Sequence, residues 1–426
     1  MNATETQSPN KRINRFYGWR MVPCIWLLYG FGSSPGYYSW SFFSSELITD
    51  LGFTRANTGF VFGLMSLMLT SSSALSGWVE ARWGARRTCI VGNLLAAFGF
   101  GMLATADTLV ECSVYYGVCV GTAIGFGTIV PCQTMATHWF DRYRGRVVAT
   151  VLTAGGVVGF LVTWYNTRMI HVASWRTGFA SYAILALLLA GIARIFIRNT
   201  PEELGQNKDG IDTSLQNKKL NGIGEVSEAK KIRRSVLAVF VFCTFGFQLP
   251  WSLAVAHGRL LLEDIGFELP AISLLFGSMT MLSVVGRLCG GLGDFMSPNR
   301  VLGIALLIEA SGLLLLLFAN SLLGAWVAVI LLAIGFGGSY MSLSLVVSNH
   351  VGANRFSRVI GLSYLLGGFV NAPAPGIAGW IADQVGSYVI PFVGVAVISI
   401  VAGFFALNLQ PPHTGASILA ERKGPS

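Results

Sequence analysis

The chain of 426 residues is 53% hydrophobic and only 12% charged, and its mean hydropathy is +0.61. That balance excludes a water-soluble globular fold, and apolar runs near the 20 residues that cross a hydrocarbon core of about 30 Å recur from end to end. The formal net charge of +9 would suit a nucleic acid or an acidic partner, but the placement of the charges along the chain argues against both.

In chain order, the first six spans are expected at 20–44, 56–78, 88–106, 110–136, 146–167 and 176–197. The first follows a polar stretch and leads into further spans without a small-residue cleavage site, so it reads as a retained helix and not a signal peptide. Next comes a polar, charged stretch from Arg198 to Arg234, which holds too little apolar surface to fold alone and reads as a cytoplasmic linker. Six more spans are expected at 235–256, 268–291, 301–319, 322–347, 359–382 and 388–408. The organisation is then an N-terminal half, 1–198, a linker, 199–234, and a C-terminal half, 235–426. The fold class is an all-α membrane protein with twelve transmembrane helices in two six-helix halves.

With the N-terminus in the cytoplasm, 24 of the 29 Lys and Arg residues lie on cytoplasmic segments. Only Arg55, Arg168, Arg176 and Arg259 lie on the opposite side, and Arg287 falls inside a span. The bias is that of the positive-inside rule and places both termini in the cytoplasm. The seven cysteines sit in or beside spans with no CxxC pair, and the five histidines are far apart, so neither a disulfide framework nor a metal site is expected. No paired acids or nucleophile with a base stand out, and no enzyme or cofactor is expected.

The halves echo one another. The segment from Gly77 to Arg87 (GWVEARWGARR) and that from Gly290 to Arg300 (GGLGDFMSPNR) each begin with glycine at a span end, carry an acid at the fourth or fifth place and end in arginine. Repeated six-helix halves are a plan of secondary transporters, with the substrate between them. These features resemble the major facilitator superfamily, whose loop after the second helix is matched here by Gly77, Arg82, Gly84 and Arg86. Ala81 stands where the family has aspartate, with Glu80 one place early, while the second copy keeps Asp294. The resemblance implies that this cluster latches the two halves on the cytoplasmic side.

Within the superfamily the chain is similar to the group of monocarboxylate transporters and oxalate/formate antiporters. The shared stretches are FYGW (16–19), YSW (38–40), HWFDRYRG (138–145), RNTPEELG (198–205), GRLCGGLGD (286–294), GGSY (337–340) and PGIAGWIAD (375–383). The resemblance implies a monomer in the plasma (inner) membrane that carries small organic anions by alternating access, with the proton as candidate coupling ion and with no nucleic-acid partner.

Arg287 is the focus. It follows a charge-free run, Leu269 to Gly286, and a cation on such a helix costs roughly 2.5–3.5 kcal/mol on insertion scales. Two readings fit. Asp294 is seven residues on, about 10 Å along a helix, within the stretch of a snorkelling side chain. Alternatively, Ser273, Thr280, Ser283 and Arg287 share one helix face, and a polar face belongs to a water-filled cavity and not to lipid. The resemblance implies that Arg287 holds a substrate carboxylate, which suits the paired donors of a guanidinium.

Two departures bear on the substrate. The lysine that oxalate antiporters carry in the eleventh helix falls on Gly367, so a dicarboxylate would keep an unmatched charge and a monocarboxylate such as lactate or pyruvate is preferred. The acid that often precedes the arginine in monocarboxylate transporters is Ser283, which leaves no proton carrier there. By resemblance Tyr340, Tyr38 and Tyr364 also stand at cavity positions, with packing as the other reading of Tyr340. His257 reads either as a proton-transfer group or as an interfacial residue, and Glu309 as a buried acid on a support helix or as part of transport. Asn371, Pro373 and Pro375 break the eleventh span as a gating bend or for packing. A dicarboxylate exchanger, a carrier of another solute and a transporter-fold sensor are the alternatives.

Overall fold

In a computed structural model of the chain, residues 16–210, 234–288, 296–351 and 353–410 are described. Ten helices among them are long and apolar enough to cross a membrane. One of these, Arg55–Leu103, has 49 residues, and at 1.5 Å per residue a straight helix would be roughly 73 Å long, more than twice the hydrocarbon core. It is two spans, 55–83 (α2) and 85–103 (α3), separated at Gly84, where φ is 78° and ψ 152°. An L side chain rarely adopts that conformation, and glycine adopts it freely.

Gly18–Phe42 (α1) supplies the twelfth span, and the short helix Ser44–Leu51 follows it. The others are Leu109–Trp139 (α4), Arg144–Val172 (α5), Trp175–Phe196 (α6), Arg234–Ile265 (α7), Leu269–Leu288 (α8), Pro298–Leu317 (α9), Leu322–Val351 (α10), Arg358–Val385 (α11) and Val389–Asn408 (α12). The fold is all-α, twelve transmembrane helices in two six-helix halves, as the hydropathy and charge pattern led one to expect.

Local chemistry sets the boundaries. The Thr54 hydroxyl accepts from the Asn57 amide at 3.2 Å and caps α2. Thr108 and Glu111 form a reciprocal capping box that starts α4, while Ser174 caps α6. Gly386, with φ 72°, ends α11. α4 widens into π-helical turns at Ser113–Val120 and Gly125–Ile129 and lies between α2 and α3. Its Gly121 abuts Met65 of α2 and its Gly127 abuts Gly92 of α3, so no side chain stands between these backbones. The six described cysteines, Cys24, Cys89, Cys112, Cys119, Cys132 and Cys243, are unbridged.

The halves meet along two seams. α5 faces α8, where Gly156 lies against Thr280 and Val284, and Gly277 against Thr163 and Phe160. α2 faces α11, where Gly59 meets Pro375, Gly63 meets Ala372 and Gly368 meets Thr70. α11 is interrupted at 372–373, between Ala353–Asn371 and Ala374–Val385. A proline there removes a backbone donor; Asn371 before the break is buried, Ala372 lies against Gly63 of the other half, and Pro373 is exposed.

Candidate functional site

Between the two seams lies a cavity of about 240 Å³ to which both halves contribute. Tyr29, Tyr37 and Tyr38 of α1 face it from one half, and Phe247, Trp251, Phe336 and Tyr340 from the other. Trp251 stacks on Phe336 with ring centroids 3.9 Å apart, which makes that wall a rigid aromatic plate.

Arg287 is the one charged side chain among the described residues that line this cavity. It turns inward. Its Nη1 donates to the Leu152 carbonyl of α5 at 2.8 Å, across the seam, and its guanidinium carbon stands 5.7 Å from the centre of the Tyr340 ring. Nε is buried with no hydrogen-bond partner among the described residues, and no acid among them pairs with the guanidinium. Tyr29 and Tyr38 are near enough to interact with its charge. A half-buried cation with unused donors, ringed by phenols, can hold an anion, since a carboxylate would take the free N–H groups and the tyrosine hydroxyls.

Other residues singled out from the sequence fall elsewhere. Thr280, in the α5–α8 seam, and Ser283 are buried and do not line the cavity. The Thr280 hydroxyl contacts the Gly156 and Gly277 carbonyls at 3.1 and 2.8 Å, and Ser283 donates to the Thr280 carbonyl at 2.6 Å. Ser273 lies in the same seam, against the Thr163 carbonyl at 3.4 Å. Of the polar stripe of α8, Ser273 and Thr280 thus face carbonyls of α5, Ser283 bonds within α8, and only the Arg287 end reaches the cavity. Tyr364 stands behind the wall, stacked on Tyr340 at 6.1 Å. Glu309 is fully buried between α9 and α10 and accepts from Ser339 at 3.3 Å.

His257 is also displaced from the expected position. It is fully buried, with Nε2 2.7 Å from the Pro375 carbonyl and Nδ1 3.1 Å from the Tyr388 hydroxyl. A carbonyl only accepts, so Nε2 carries the proton and Nδ1 accepts from Tyr388. Both ring nitrogens are occupied in holding α7 to α11 and α12, away from the cavity wall.

The resemblance makes the end of α2 and the break after it a latch between halves, but the described contacts there reach only the N-terminal half and Asn199 at the start of the linker. Glu80 accepts from Ser76 at 2.9 Å, and Arg82 lies over the Trp78 ring at 4.0 Å. The Arg86 amide donates to the Asn199 side chain at 2.9 Å, Asn199 also fills the space beside Gly84, and the Arg86 guanidinium reaches the Arg194 carbonyl. Gly77 has open space beside it. Asp294 lies outside the described residues.

The inter-half ion pairs are at the opposite end. Arg259 of α7, 3% exposed, grips both oxygens of Glu46 at 2.7 and 2.8 Å and donates through Nε to Glu263 at 2.7 Å. Ser45 donates to Glu263, and Arg55 makes a two-pronged bridge to Asp264. Asp383 of α11 accepts from the Arg55 and Ala56 amides at 3.1 and 2.9 Å, placing a carboxylate on the N-terminus of α2, where the helix dipole favours negative charge. Nothing in the sequence pairs these groups. The signal available was the excess of acids, Glu46, Glu263, Asp264 and Asp383 among them, on the side expected to hold only four cations.

The sequence model of the Major Facilitator Superfamily matches residues 25–292 and, in a second overlapping match, 253–425. The chain belongs to the major facilitator superfamily. Among superfamily relatives, an uncharacterized MFS-type transporter, YhjX, of Escherichia coli K12 is 25% identical over 77% of this chain and 80% of its own length. Monocarboxylate transporter 4 of Gallus gallus is 24% identical over 93% of this chain and 85% of its own. Among solved structures, a bacterial homologue of the human lysosomal transporter Spinster, inward-facing and unoccupied, superposes with a TM-score of 0.72 at 12% identity, covering 96% and 99% of the two chains. The fold is therefore that of a major facilitator transporter, and the monocarboxylate transporters are among its relatives.

Proposed function

We propose that this major facilitator protein is a secondary active transporter of small monocarboxylates, of the size of lactate or pyruvate, working by alternating access. The observation that carries the reading is Arg287, the one charge on the described cavity wall, with a buried donor unused and no acid among the described residues to neutralise it. A carboxylate supplies the missing charge and takes two guanidinium donors in one plane, whereas a second carboxylate on the same molecule would meet no cation. Kinship with monocarboxylate transporters supports the same substrate class.

Tyr38 and Tyr340 take part as hydroxyl and ring neighbours of the bound carboxylate. Thr280, Ser283 and Tyr364 hold the wall behind them, and His257 secures the sealed end. Among the described residues no carboxyl or imidazole lines the cavity, so a coupled proton would travel by another route. The charge asymmetry makes the end sealed by Arg259 and Glu46 the outer one, with both termini, the 199–234 linker and the end of α2 that carries Gly77, Glu80 and Arg82 on the cytoplasmic side. The membrane is the plasma membrane, and a monomer is sufficient because both halves of the site come from one chain.

The test is a thermal-shift titration of the purified protein against mono- and dicarboxylates. A ligand at 100 times its Kd adds about 2.7 kcal/mol of stability. Lactate or pyruvate should raise the melting temperature more than oxalate does; a larger response to oxalate would reveal a second positive group and contradict the reading.

A further inference from the structure

Arg287 occupies one side of the cavity, at the α5–α8 seam. The other side, at the α2–α11 seam, holds polar groups that the transport reading leaves unused. Gln248 of α7, Asn371 of α11 and Ser66 of α2 all line the cavity. Asn371 and Ser66 are 8% and 6% exposed. The side-chain oxygens of all three are buried without a hydrogen-bond partner among the described residues.

The three belong to one place. A Cβ at Gly367 of α11 would lie 2.7 Å from the Gln248 side-chain oxygen, so the amide occupies the room that a side chain at 367 would need. One residue on, Gly368 lies against Thr70, whose hydroxyl donates to the Ser66 carbonyl at 2.9 Å, and Asn371 follows one turn later on α11. α2, α7 and α11 therefore converge there with two amides and a hydroxyl, and no charge stands among them.

We infer that this convergence is a second, uncharged recognition point, and that the preferred anions are monocarboxylates bearing a hydroxyl or carboxamide group at the end remote from the carboxylate. The inference rests on the reading of Arg287 as the carboxylate site. An amide presents a donor and an acceptor, and a hydroxyl does the same, so the two satisfy each other. A plain alkanoate would leave buried polar atoms unmatched, and a dicarboxylate would bring a charge with no cation to receive it. Sites built to bond a substrate hydroxyl reject the analogue without it far more strongly than apolar pockets reject a missing methylene.

The experiment is calorimetric titration of the purified full chain with acids matched in length: propanoate, 3-hydroxypropanoate and malonate, then butanoate, 4-hydroxybutanoate and succinate. At one or both lengths the hydroxy acid should bind about ten-fold more tightly than the alkanoate, the size of one net hydrogen bond, and more tightly than the dicarboxylate. Gln248→Met, close in shape and without the amide, should lower hydroxy-acid affinity toward that of the alkanoate; Asn371→Leu serves if that variant does not fold. Equal binding of hydroxy acid and alkanoate at both lengths, tightest binding of the dicarboxylate, or a hydroxyl preference that survives the variants overturns the inference. If acids bind without preference and Arg287→Ala abolishes binding, only the second recognition point is lost. If no carboxylate binds the wild type, the carboxylate reading falls and takes this inference with it.

Discussion

Replacing Glu46 with alanine should open the sealed end of the molecule. Glu46 gives both its oxygens to Arg259 at 2.7 and 2.8 Å, joining the segment after α1 to α7 across the halves. The Glu46 side chain is 22% exposed and Arg259 is nearly fully buried. Because Glu263 would still sit 2.7 Å from Arg259 Nε, the arginine is not left without an acid, and the cost stays below the roughly 3–5 kcal/mol of orphaning a buried charge. Two charge-assisted hydrogen bonds partly open to water come to about 2–3 kcal/mol, which shifts the ratio of sealed to open forms by a factor of roughly 30–150. Spin labels at Thr49 and Glu268, exposed positions on either side of the seam in a cysteine-free background, report that distance by double electron–electron resonance. The long-distance population should grow in Glu46→Ala and not in Asp107→Ala, which breaks the Asp107–Arg176 pair within one half. An unchanged distribution in Glu46→Ala would show that this contact does not bias the two forms, and the reasoning about the seal would fail.

The seam between α5 and α8 makes a second prediction: a Cβ at Gly156 would lie 2.7 Å from the Thr280 carbonyl, backbone that cannot give way, so Gly156→Val should cost about 1–3 kcal/mol and impair transport. Gly191→Val, with nothing within 4 Å, should leave melting temperature and uptake unchanged, and parity of the two variants would refute the close approach. For topology, single cysteines at Asp107 and Asn217 should label from opposite sides of the membrane with an impermeant maleimide, and labelling from one side would contradict the inside–inside arrangement.

The fold was legible because the membrane imposes it. Twelve apolar runs are a one-dimensional signal, and each reappears as a span among the observed helices. Gly84 was visible as part of a loop motif, and the structure adds why glycine stands there, a φ of 78° between two antiparallel spans. The place of Arg287 on a cavity wall was legible, since a cation in an apolar run has to be compensated. The stripe that led to it was legible only as a face turned from lipid. Ser273 and Thr280 meet backbone carbonyls of α5, the latter beside Gly156 and Gly159, while Ser283 turns back to the Thr280 carbonyl of its own helix, and periodicity on α8 cannot say what lies opposite. His257 and Arg259 resemble ordinary interfacial residues in sequence because their partners, Pro375, Tyr388 and Glu46, are 118, 131 and 213 positions away. Gln248 carried a weak signal, one amide in the apolar stretch FGFQLPW, and its meaning depends on α11 crossing beside it.

The central claim is that Arg287 binds the substrate carboxylate, and uptake of labelled lactate into proteoliposomes by wild type, Arg287→Lys and Arg287→Ala tests it most directly, with equal insertion verified for each. Lysine keeps the charge but loses the planar pair of donors, so the account predicts that the lysine variant loses transport nearly as completely as the alanine variant. Near-normal uptake by Arg287→Lys would mean that a bare positive charge is enough, and uptake preserved in Arg287→Ala would remove the carboxylate from this arginine altogether.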